Sequence, residues 1–216
     1  MKILMKQGMN KNIYILAITI IIILVGIIVT ATLGFNKELR FSESQKIDIY
    51  ISHKVNVNKI KDIANEVLGR ENIVQIVEVY EDMVTIRAKS ITEEQKNNIV
   101  NKIKENYQFE QTAEKTIIEN VPSTRLRDIY KKYIMPFAIS WVLILIYMIV
   151  RYRKIGMVKV ITRTLMVPVI GEALLASIIA IARIPVGRFT PVLSIAVYLF
   201  TILYVTNKNE KTIEEQ

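Results

Sequence analysis

Polar and apolar positions are segregated along this chain on two scales. On the long scale, Ile13–Leu33 is a run of 21 residues without a charge. Three further apolar runs cover residues 134–150, 160–182 and 189–205. A helix rises 1.5 Å per residue and a hydrocarbon core is roughly 30 Å thick, so runs of this length predict membrane-spanning helices. Residues 34–133, between the first and second runs, alternate on the short scale of a folded soluble domain.

Within that segment Ile47, Ile49 and Ile51 alternate with Asp48, Tyr50 and Ser52, the period of a half-buried strand. Asn56 then caps a helix with Val57, Ile60, Ala64, Val67 and Leu68 on its apolar side, and Gly69 stops it. Residues 73–80 are rich in β-branched side chains and turn at Glu81-Asp82 into a second strand, Met83–Ala88. Thr92 with Gln95 predicts a capping box for a helix carrying Ile99, Val100 and Ile103. A last extended segment follows over residues 107–118. The order β-α-β-β-α-β is the split pattern of ferredoxin-like domains. The fold class expected is therefore an α+β membrane protein, with four transmembrane helices and a ferredoxin-like βαββαβ domain between helices 1 and 2. Two helices would cover one face of the sheet, leaving the other exposed or packed on a partner.

Charge adds an orientation. The chain is 51% apolar and 23% charged, with a net charge of +9. Residues 34–133 hold 17 of the 29 basic and 16 of the 20 acidic side chains, so the excess belongs to the membrane half. A nearly neutral soluble domain argues against nucleic-acid binding. Basic residues beside spans meet anionic lipid and mark the cytoplasmic side. Lys2, Lys6 and Lys11 precede the first span, Arg151, Arg153, Lys154 and Lys159 join the second to the third, and Lys208 and Lys211 follow the fourth. This distribution predicts a multi-pass protein of a bacterial cytoplasmic membrane, with residues 1–12 and 206–216 cytoplasmic and 34–133 extracytoplasmic. Arg183 and Arg188 fall in the short outer turn. The first run is longer than a signal-peptide core and reads as an uncleaved anchor, although Val29-Thr30-Ala31 resembles a cleavage site.

Candidate chemistry is sparse. Cysteine is absent, which excludes disulfides, thiol nucleophiles and cysteine-ligated zinc. His53 is the only histidine and reads as a polar residue at a strand end. Glu81-Asp82 and Glu93-Glu94 fit a turn and a helix N-terminus, where negative charge is favoured. No catalytic residue, cofactor or metal site is assigned, and enzyme activity is not expected.

The exception lies in the third span. Glu172 sits near its middle, where a carboxylate costs roughly 2.5–3.5 kcal/mol. Arg163 is nine residues away, about 180° round the helix, and Arg183 shares its face about 16 Å further along. Glu172 must therefore find a donor on another helix, be protonated or reach water. Tyr198 on the fourth span is the candidate donor. Three roles stay open for Glu172: a neutral structural group, a proton- or ion-handling group, or a contact to a partner's span. Arg151, Arg153, Lys154, Arg163 and Arg183 are candidate anchors at the membrane interfaces. Gly171, Ala173, Ala176, Ser177 and Ala180 predict close packing on one side of the third span.

Phe41-Ser42-Glu43-Ser44 followed by Lys46-Ile47-Asp48-Ile49, then Val121-Pro122-Ser123 with Leu126-Arg127, then Tyr147 with the Arg151-Tyr152-Arg153 ending, occur in a recognisable order. In that order the chain resembles SecF, the membrane partner of SecD in bacterial protein export. The resemblance covers most of the chain at a modest level and rests on the joint order of segments. It implies association with a SecD-like subunit and the Sec channel, and contact with translocating polypeptide. The departures are specific. Glu43 and Ser44 replace two family glycines. Met166 and Val167 stand where the family has a His-Asp pair in its third span, and Leu199 and Phe200 where its fourth span has Asn-Asp. The two further spans of the family are not represented. A span lacking those titratable groups does not carry protons by that route. The expected function is thus a SecF-like accessory subunit of the translocation machinery without autonomous proton coupling. The alternatives are a membrane-anchored binding or sensory module and a transporter component of the resistance-nodulation-division group.

Overall fold

The computed structural model describes residues 2–51, 55–76, 83–107 and 109–215, with side chains described from Ile13 onward. His53, the Glu81-Asp82 turn and the end of the strand expected to reach Tyr80 lie outside the described residues. The protein is mixed helix and sheet. One unit comprises Met1–Asn36 with Leu126–Gln216, and the other is Lys37–Arg125.

The second unit is built on a four-stranded antiparallel sheet. Its elements are β1 (Ser44–Tyr50), α2 (Val57–Leu68), β2 (Asn72–Ile76), β3 (Met83–Ala88), α3 (Glu93–Asn106) and β4 (Ile118–Val121), where α1 is the first helix of the other unit, Lys2–Leu33. The strand order is β2-β3-β1-β4. Ile47 pairs with Ile86 and Ile49 with Val84, and the other side of Ile86 meets Val74. Period-two alternation thus gathers the isoleucines on one face. There Ile47, Ile49, Val84 and Ile86 pack fully buried against Ile60 and Ala64 of α2 and Ile99, Val100 and Ile103 of α3. Burying each large side chain contributes roughly 1.5–3 kcal/mol.

Local signals set the helix starts. The Asn56 side chain accepts from the Asn58 N–H at 3.0 Å. Thr92 and Gln95 form both bonds of the capping box, at 3.2 and 3.0 Å. Gly69 ends α2 at φ +78°, a conformation that L side chains rarely adopt. Opposite the helices, the sheet carries a polar network. Lys46 bridges Asp48 at 2.6 Å and Glu119 at 2.9 Å, Thr85 donates to Asp48, and Arg87 donates to Ser44 and to the Ser42 carbonyl. Hydrogen bonds to Asp48, then Glu119, raise the Lys46 ammonium above the usual lysine range.

The other unit holds α1, α4 (Leu126–Arg151), α5 (Met157–Ile181) and α6 (Thr190–Glu214). All four are long and apolar enough to cross a membrane, consistent with a multi-pass membrane protein. Helix α5 is central and packs against α1, α4 and α6. Its small residues explain this: the backbone of α1 at Gly26 approaches Ser177 so closely that no side chain fits between them.

Two helix boundaries differ from the hydropathy reading. Helix α4 begins at Leu126 rather than 134, because the polar residues before the apolar run are good helix formers. Pro136 consequently lies well inside the helix, where it removes a backbone bond to residue 132. Helix α1 covers Lys2–Leu33, and the part of it apolar enough to cross a membrane is Ile13–Leu33, as in the hydropathy reading. Helix α6 runs nine residues past the expected end at 205, because Asn209 and Ile213 give its polar tail an inward side.

Candidate functional site

The helix unit places Glu172 between two cavities. One, of about 270 Å³, is bounded by Leu126 and Tyr130 of α4, Glu172 and Ala176 of α5, and Ser194 of α6. The second, of about 350 Å³, has Tyr130, Tyr133, Phe137 and Trp141 along α4, with Glu172 and Ser194 across from them. Each helix contributes by its own periodicity. These four of the five aromatics of α4 are separated by three, four and four residues and so share a face. Glu172 lies one turn after Pro168, on the central helix.

Ser194 is the polar neighbour shared by the Glu172 carboxyl and the Tyr130 hydroxyl. Glu172 Oε1 is buried without a hydrogen-bond partner, and so is Trp141 Nε1 on the facing wall. No basic side chain among the described residues forms an ion pair with Glu172. The arrangement is a carboxyl group in an apolar, aromatic setting with unused accepting capacity.

Tyr198 does not supply the bond expected of it. Its ring packs on Phe137 at a tilt of 59° with centroids 4.6 Å apart, and its hydroxyl is buried with no hydrogen-bond partner among the described residues. It belongs to a cluster with Met148, Tyr152, Val160 and Ile202, against which Phe137 and Trp141 pack. Ser194 and Tyr130 take the place beside Glu172. Neither was singled out from the sequence. The aromatic spacing along α4 was visible there, but nothing in one helix says which face its neighbours meet.

The candidate anchors divide in two. Arg163 donates through Nη1 to Asn209 Oδ1 at 3.0 Å and Thr212 Oγ1 at 3.1 Å, which ties α5 to the tail of α6. Arg183, in the left-handed region at φ 54°, donates to the Gly34 carbonyl at 2.6 Å. Arg151 pairs with Glu210 at 3.6 Å, and that carboxylate also accepts from the Tyr152 hydroxyl at 3.1 Å. Arg153 and Lys154 are exposed beside them, at the mouth of a cleft that also holds Glu214. Basic groups therefore collect where α4 ends and α5 begins, around the polar tail of α6.

Against these features the chain was compared with known proteins. No family model matches it, and no curated protein is significantly similar to it.

Proposed function

We propose that the protein is a SecF-like accessory subunit of a bacterial protein-translocation complex. Its Lys37–Arg125 unit is read as an extracytoplasmic ferredoxin-like domain, and both termini as cytoplasmic. The observation that carries the reading is the joint order of elements. One long apolar helix precedes a βαββαβ unit with strand order β2-β3-β1-β4, and three such helices follow it. That strand order is the one a split β-α-β-β-α-β pattern produces when each helix crosses over a neighbouring strand. The gathering of Arg151, Arg153, Lys154 and Arg163 near the α6 tail supports the orientation. Proton movement by the family's route is not part of the proposal. Met166, Val167, Leu199 and Phe200 at the corresponding positions are apolar; Val167 is half-buried and the other three are exposed on the outside of the helix unit. The partners are a SecD-like subunit and the Sec channel.

The test is purification of the tagged chain from its own membrane in mild detergent, with co-purifying proteins identified by mass spectrometry. Recovery of SecD-like or channel subunits is expected. Recovery of the chain alone, or with unrelated envelope proteins, would overturn the proposal.

A further inference from the structure

The larger of the two cavities beside Glu172 has a composition with a definite ligand preference. Four aromatic rings from α4 line one side, and a carboxyl group with an unpartnered buried oxygen lies on the other. An anion would be repelled there. A neutral apolar molecule would leave the carboxylate unmatched in a low-dielectric setting, which disfavours its charged form. A cation with an apolar body matches both walls, because the carboxylate supplies the counter-charge and aromatic faces attract cations through their quadrupoles. The geometry points to this cavity as a binding site for a lipophilic cation, such as a membrane-dissolved amine or quaternary ammonium, with Glu172 as its counter-ion.

Access fits a ligand that arrives through lipid. Ile134 and Ala138 form part of the cavity lining and are exposed on the outside of the helix unit, so the site opens laterally. Among the described residues, Glu172 is the one charged side chain in the cavity wall. Ser194 and Tyr130 also line the cavity, whose wall is otherwise almost wholly apolar. The site is independent of the export reading, since it needs neither a SecD-like partner nor a translocating chain.

Trp141 is the only tryptophan of the protein and lines this cavity, so intrinsic fluorescence reports on the site itself. The experiment titrates the full chain, in nanodiscs of zwitterionic lipid, with tetraphenylphosphonium. Tetraphenylborate, of nearly the same shape and opposite charge, is the control for partitioning into the bilayer. The expected result is a saturable change in Trp141 emission with the phosphonium, at least tenfold weaker in Glu172→Gln, and only a non-saturating response to the borate. The inference is overturned if the wild type shows no saturable response. It is equally overturned if Glu172→Gln titrates like the wild type, or if the borate saturates with similar affinity; the cavity is then a pocket for lipid chains. Should Glu172→Gln not be recovered folded, Tyr133→Leu on the facing wall carries the test. A several-fold loss of phosphonium affinity supports the site, and an unchanged affinity overturns it.

Discussion

Replacing Gly26 by alanine tests the central packing of the helix unit, and its sign is informative. On an open helix surface, alanine is favoured over glycine by about 1 kcal/mol. At Gly26 an added Cβ would lie 2.5 Å from Ser177 Cα and closer still to the Ser177 Cβ and Oγ. Carbon atoms prefer roughly 3.5–4.0 Å, so α1 and α5 would have to separate by about 1–1.5 Å at that point. A gap of 0.5–1 Å already forfeits about a quarter to a half of each facing contact, and lipid supplies no hydrophobic drive to restore it. Overpacking of this kind costs about 1–3 kcal/mol. The expected outcome is a fall in the thermal unfolding midpoint of the detergent-solubilised protein by a few degrees to about ten. Ser177→Gly in the same chain should recover part of the loss. Recovery stays partial because the Ser177 Cα remains in the way. A double-mutant cycle of Gly26→Ala and Ser177→Gly then gives a coupling above about 0.5 kcal/mol. If Gly26→Ala is neutral or stabilising, or if the two changes simply add, the close α1–α5 contact is refuted.

Three further outcomes are expected. Thr92→Ala removes the capping box and should cost the Lys37–Arg125 unit about 1 kcal/mol, seen as faster hydrogen exchange confined to the first turn of α3; uniform loss across the unit would count against the cap. Arg163→Met breaks the bonds to Asn209 and Thr212 and leaves the fully buried Asn209 amide without them, at about 1.5–3 kcal/mol. Adding Asn209→Leu should return much of that stability, and failure to do so would mean Arg163 acts elsewhere. Lys46, raised by hydrogen bonds to Asp48 and Glu119, contributes stability that is fully present below the ordinary lysine value of 10.5. Above that value the unfolded chain loses its proton first, so the contribution declines as pH rises through the higher folded value. The urea midpoint of the wild type minus that of Lys46→Met should be flat below about pH 10 and shrink above it. A difference that changes between pH 6 and 9 would contradict the assignment.

Much of the sheet unit is legible in the sequence, because its signals are local. Alternation of Ile47, Ile49 and Ile51 marks a strand face, Asn56 and Thr92 satisfy amides within their own first turns, and Gly69 supplies the positive φ that ends α2. Each effect acts within a few residues, so composition at those positions is sufficient. Helix ends in the other unit were less legible. Hydropathy sees where apolar side chains stop, whereas the helix continues as long as its backbone bonds and inward contacts do. Asn209 and Ile213 prolong α6 for that reason.

The sequence by itself determined that this chain has four helices able to span a membrane, a charged segment folded between the first two, and one carboxylate deep in an apolar run. Those are properties of length, period and solvation, which each segment carries alone. The surroundings of that carboxylate were decided only in three dimensions. Tyr198 and Ser194 both lie on α6, four residues apart, and either could have been imagined facing Glu172. The rotation of α6 against α5, set where Gly171 admits Thr201 and Val197, turns Tyr198 onto Phe137 and leaves Ser194 beside the carboxyl. Helix rotation depends on how side chains from several helices interlock at once, a many-body packing problem for which no single segment of sequence holds the solution.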